Sequence, residues 1–97
     1  MTATNHFRRR VAERVGPDVD PVLLAERIVA DIHNGVAEFI GRISRDGKRL
    51  FRVRVTGHGL FYAMVNTRTM SCITIMPPGF RPPRQGGGFI ELRGDDL

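Results

Sequence analysis

The groups best suited to chemistry in this 97-residue chain are three histidines, one tyrosine and a set of arginines. His6 and Arg10 stand one helical turn apart near the start. A histidine there could take or give a proton near neutral pH, and the arginine could steady charge building on a phosphate. The same spacing also suits a solvated polar helix face. His58 lies in a Gly-His-Gly turn, either a loop-tip base or a plain turn residue. His33 reads as structural, because partial positive charge suits a helix C-terminus. Arg52 and Arg54 fall on one side of a strand. Two like charges about 7 Å apart are unfavourable unless an anion, or an acid such as Glu38, lies between them. Tyr62 and Thr74 would share that side and could bond a phosphate or a 2′-hydroxyl, or simply be strand residues of good β propensity. There is no Cys/His metal spacing, no Gly-rich phosphate loop ahead of a helix and no nucleophile elbow. The expected chemistry therefore uses no metal and no cofactor. Cys72 is the only cysteine, so no internal disulfide forms.

Two helices and a sheet must position these groups. Phe7, Val11 and Val15 recur at helical spacing over residues 5–15, and Gly16-Pro17 ends that run. Asp20 as N-cap and Pro21 at the first helical position open a second helix, with Leu24, Ile28 and Ile32 on one face and Asn34-Gly35 at its end. From Gly35 the period changes to two. Val36–Arg45 and Arg49–Thr56 flank Asp46-Gly47, a strong hairpin signal. Leu60–Asn66 and Met70–Met76 follow, and Pro77-Pro78 ends the last strand. The expected class is α+β: two N-terminal helices packed on one face of a four-stranded antiparallel meander, with an extended Pro/Gly-rich C-terminal tail. Residues 1–78 form the domain and 79–97 the tail. Gly86-Gly87-Gly88 reads as a hinge, and residues 89–93 as a short edge strand.

Alternation sorts the sheet. Phe39, Ile43, Phe51, Val53, Val55, Phe61, Ala63, Val65, Ile73 and Ile75 make an apolar face for the helices. Glu38, Ile40, Arg42, Ser44, Arg52, Arg54, Thr56, Tyr62, Met64, Cys72 and Thr74 make the other, expected to be open.

Charge points to a partner. Residues 1–34 carry five basic and five acidic residues, and residues 35–97 carry ten and five, so the whole +5 lies in the second part. A localised basic surface implies a polyanion, most commonly nucleic acid. All but one of the cations are Arg, which suits bidentate phosphate recognition, although a GC-rich genome produces the same bias. No apolar run approaches a membrane span, and the start lacks a signal-peptide core. A cytoplasmic protein with no membrane partner is expected.

The segment His6-Phe7-Arg8-Arg9-Arg10-Val11-Ala12-Glu13-Arg14-Val15-Gly16, with Ile73-Thr74-Ile75 late in the sheet, resembles small members of the barnase–EndoU–colicin–RelE (BECR) superfamily of ribonucleases and toxins. The similarity covers about residues 5–78, and the Pro/Gly tail departs from the compact end of most members. The resemblance implies metal-independent RNA cleavage of toxin type, by attack of a 2′-hydroxyl on the adjacent phosphorus. It implies His6, Arg10 and Thr74 as catalytic residues. Surface logic adds Arg42, Arg52, Arg54 and Tyr62 as RNA-binding residues. RNA is then the expected partner, with a host or cognate inhibitor protein as a second. The alternative is a non-enzymatic phage or mobile-element protein that binds and inhibits a host protein complex. A third is an oligomer, in which Phe89–Arg93 pairs with a neighbouring subunit's sheet edge.

Overall fold

A computed structural model describes residues 2–82, 88–94, 96 and 97. Helix α1 (Asn5–Arg14) starts where the Thr4 hydroxyl accepts the Phe7 amide, and α2 (Pro21–His33) starts where the Asp20 carboxylate accepts the Val22 and Leu23 amides. The strands are β1 (Glu38–Arg42), β2 (Lys48–Val55), β3 (Gly59–Asn66) and β4 (Ser71–Met76). They form one antiparallel sheet in the order β1-β2-β3-β4, so the class is α+β. Strand β1 is half the length that alternation suggested. The hairpin turn needs Gly47: its φ is +106°, and a Cβ there would meet Arg68 Cγ at 2.8 Å.

Phe7 and Val11 of α1 and Leu24, Ala25 and Ile28 of α2 share a buried cluster with Phe51, Val53, Phe61, Ala63, Val65 and Ile75 of the sheet. Residues 2–4 extend this arrangement. Ala3 bridges Cys72 in parallel, the Cys72 amide donates to Thr2 O (2.7 Å) and the Thr4 amide donates to Cys72 O (3.2 Å). Helix α1 thus starts beside the strand on which it packs, which fixes its line along β4.

Two bulges correct the sorting of faces. In β1 the register passes from Phe39↔Phe51 to Gly41↔Leu50, leaving Ile40 as the extra residue. In β4 it passes from Met64↔Thr74 to Val65↔Cys72, leaving Ile73 as the extra residue. Each inserted residue inverts the alternation beyond it. Cys72 therefore lies in the helix-side core, fully buried, its Sγ 3.8 Å from Ala25 O. Burial pushes its thiol up to about 12. Ile43 moves to the opposite cluster, and Ile73 is only half-buried. Arg42 pairs with Arg49, which pairs with Val65, so it shares the helix-side row and leaves Arg52.

The second face is not open throughout. Leu50, Met76 and Ile90 form a second buried cluster, with Tyr62, Phe80 and Leu92 packed against it. Phe89 bridges Arg42 in parallel within the chain, and the Ile90 amide donates to Arg42 O (2.8 Å). Ile90 fills the notch above Gly41, where a Cβ would lie 2.6 Å from Ile90 Cδ1. Burying a side chain of this size contributes roughly 1.5–3 kcal/mol. The C-terminal segment thus packs on the sheet through Phe80, from the stretch expected to be extended, and through Ile90 and Leu92, from the stretch expected as an edge strand. Arg84 and most of the Gly86-Gly87-Gly88 hinge lie outside the described residues. Among those described, no helix is long and apolar enough to cross a membrane.

Candidate functional site

The seam between α1 and β4 holds three of the expected residues. At one end the Thr4 hydroxyl donates to Ile73 O (3.1 Å), and at the other Arg14 Nη1 donates to Ile75 O (2.8 Å), so the seam brackets Thr74. His6, Arg10 and Arg14 recur every four residues and form one stripe of α1. The His6 ring touches Arg9 through Nδ1 (3.5 Å), whereas its Nε2 is enclosed with no hydrogen-bond partner among the described residues. The Thr74 hydroxyl is in the same condition, and the residue is fully buried instead of lying on an open face. Such orphaned polar atoms number only a few per hundred residues in folded proteins, so these two do not by themselves mark a site.

The arginines of this stripe already have oxygen partners. Arg10 Nε donates to Leu97 O (2.8 Å), and its Nη1 donates to Glu13 Oε2 (2.6 Å), which holds the Glu13 carboxyl below its ordinary value. Arg14 Nη1 also donates to Asp96 O (2.8 Å). Burial, then the neighbouring Arg10 charge, lowers the Arg14 guanidinium's affinity for its proton. The end of the chain thus rests on the cations that the resemblance assigns to phosphate.

The four residues expected to bind RNA separate into two groups. Arg52, Arg54 and Tyr62 share the second face: Tyr62 lies opposite Arg52, and Arg54 opposite Leu60. Arg52 Nη2 donates to Glu38 Oε1 (2.5 Å), and this bond raises the Arg52 pKa. Tyr62 is half-buried, its ring edge-on to Phe80 with centroids 5.6 Å apart. Arg42 stands elsewhere, its guanidinium carbon 5.2 Å from the centre of the Phe89 ring.

Arg42 belongs to a cluster that sequence reasoning missed. Arg42, Ser44, Arg45, Arg49 and Phe89 line a cleft of about 350 Å³ at the hairpin end of the sheet. Arg49 Nη1 donates to the carbonyls of Ser44 and Lys48 (both 3.2 Å), which fixes its position without neutralising it. Arg68 Nη2 donates to Arg45 O (3.3 Å), bracing the turn from outside the cleft lining. Among the described residues no carboxylate lines the cleft. The nearby Asp46 carboxylate accepts the Ser44 hydroxyl, and that bond lowers its pKa. The signal was available in Arg45-Asp46-Gly47-Lys48-Arg49, a turn with three cations and one acid.

The other histidines join neither group. His58 Nε2 lies 3.2 Å from Asp18 Oδ2, tying the β2–β3 turn to the segment between the helices. His33 is exposed at the end of α2. No group of three or more His, Cys, Asp or Glu side chains among the described residues could hold a metal ion. No family model, curated protein or solved structure matches this chain.

Proposed function

We propose that this chain is an RNA-binding domain whose hairpin-end cleft receives the phosphate backbone. One observation carries the reading: three guanidinium side chains, Arg42, Arg45 and Arg49, line one cleft with no carboxylate among its described lining residues. Like charges held together are mutually destabilising, and a phosphate chain relieves that repulsion while releasing its own counterions. RNA is preferred to other polyanions because of the resemblance at residues 6–16 and 73–75. In this reading the two helices cover one sheet face, residues 79–97 are a tail of which Phe80, Ile90 and Leu92 pack on the other, and the protein works in a cytoplasm.

The narrower proposal is metal-independent endoribonuclease activity of toxin type at the α1–β4 seam. His6 takes the proton of a 2′-hydroxyl, and that oxygen attacks the adjacent phosphorus. The P–O5′ bond breaks and the 5′-oxygen takes a proton from solvent water, giving a 2′,3′-cyclic phosphate and a 5′-hydroxyl. Arg10 steadies the extra negative charge, and Thr74 is the third residue that the resemblance assigns. His6 Nε2 and the Thr74 hydroxyl are enclosed and have no hydrogen-bond partner among the described residues, so this chemistry requires the seam to open before either meets a substrate. Because Arg10 holds Leu97, cleavage requires the last residues to leave the stripe. Incubation with total RNA in EDTA tests this: the wild type should cleave and His6→Ala should not. An inert wild type, or unaltered cleavage by His6→Ala, overturns the catalytic part, while gel retention tests binding separately.

A second reading, a non-enzymatic phage or mobile-element protein that inhibits a host protein complex, is favoured by Val36 and Phe39. These apolar residues, three positions apart in the chain, are 70% and 55% exposed. Co-purification of a stoichiometric protein without nucleic-acid absorbance would select it.

A further inference from the structure

A second cleft, of about 390 Å³, shares Phe89 with the arginine cleft and is lined by Glu38, Ile40, Arg52, Tyr62 and Ile90. We infer that it holds one nucleobase of the bound strand, with the phosphate directed to Arg42, Arg45 and Arg49; this rests on the RNA-binding reading.

The cleft's chemistry differs from its neighbour's. Glu38 and Arg52 are bonded to each other and half-exposed, so the carboxylate opposes a phosphate there. The same pair presents an acceptor beside a donor along one edge. Every base carries a donor next to an acceptor on its pairing edge, which is the complement of that arrangement. Tyr62, steadied by Phe80, adds an aromatic ring of the kind on which bases stack in single-stranded complexes. Ile40 and Ile90 add apolar surface. The volume falls in the range of roughly 300–1,000 Å³ usual for small-molecule sites.

Tyr62 is the only tyrosine, so its ring protons report on this cleft unambiguously in an NMR titration of the full chain. Nucleoside monophosphates should move those signals upfield through the ring current of a stacked base, and ribose 5-phosphate should not. Glu38→Ala, at an exposed position, removes the acceptor and should weaken binding of free nucleosides about threefold or more. Arg45→Ala/Arg49→Ala should weaken nucleotides but not free nucleosides. No upfield shift with any nucleotide, an equal response to ribose 5-phosphate, or full nucleoside affinity in Glu38→Ala overturns the inference. RNA retained in a gel with silent Tyr62 signals defeats the base cleft alone and leaves the RNA reading standing. Shifts with mononucleotides in a protein that retains no RNA support the cleft and defeat the RNA reading.

Discussion

Arg10 and Arg14 of α1 and Arg42, Arg45 and Arg49 of the β1–β2 hairpin are five copies of one side chain in two settings. The α1 pair donates to Leu97, Asp96, Ile75 and Glu13, oxygens drawn from three separate stretches of the chain. Those bonds tie the C-terminal residues to the helix and the helix to β4. Of the hairpin arginines, Arg42 meets an aromatic ring and Arg49 meets backbone carbonyls, partners that orient a guanidinium without cancelling its charge. A basic residue count therefore locates no site. What matters is whether the charge is already answered inside the fold, and that separates the arginines that build this protein from those left for a partner.

The largest effect expected from breaking this contrast is on stability. Arg14→Ala removes donors to two carbonyls and should lower unfolding free energy by about 1.5–3 kcal/mol. RNA affinity should stay within about twofold, since no phosphate contact is lost. Urea denaturation and gel retention of the same variant check both halves, and a tenfold loss of RNA affinity at full stability would reverse the assignment.

Ending the chain after Arg93 is a smaller perturbation, because Ile90 and Leu92 remain in the second cluster. It should cost about 1 kcal/mol for the lost bonds to Arg10 and Arg14. It should also steepen the salt dependence of RNA affinity by about 0.7 for each α1 arginine that then reaches a phosphate. An unaltered slope would mean that the stripe contributes to folding alone.

The smallest effect concerns Glu13. Its native pKa lies below the ordinary 4.5, chiefly through the Arg10 hydrogen bond. The ionised carboxylate therefore stabilises the fold at pH above 4.5, and this contribution disappears as pH falls through the lowered native value. In Glu13→Gln the stability curve should lie slightly below the wild type at neutral pH and converge with it in acid. Parallel curves down to the acid limit would place no pH-dependent stability in this pair.

Local signals made much of the fold readable. Asp20-Pro21 opens α2 and Asp46-Gly47 turns the first hairpin because each acts through near neighbours. The faces were less legible, because a bulge changes every residue beyond it and alternation carries no mark of the insertion. Gly41 was the one hint, since a glycine inside a strand indicates a bulge or a close approach, and Ile90 makes that approach. Nothing comparable marks Ile73, so Cys72 was assigned to the wrong side. The return of Phe89 to Arg42 links residues 47 apart, a pairing that no local pattern encodes. For the site, helical spacing was enough to align His6 with Arg10. It could not reveal that Leu97 would occupy the guanidinium.

The hairpin arginines can be tested together by measuring single-stranded RNA affinity against salt concentration for the wild type and Arg45→Ala/Arg49→Ala. With two phosphate contacts removed, the log–log slope should become shallower by about 1.4, and affinity should fall at every salt concentration. Identical slopes and affinities in the two proteins would contradict the assignment of the RNA backbone to this cleft.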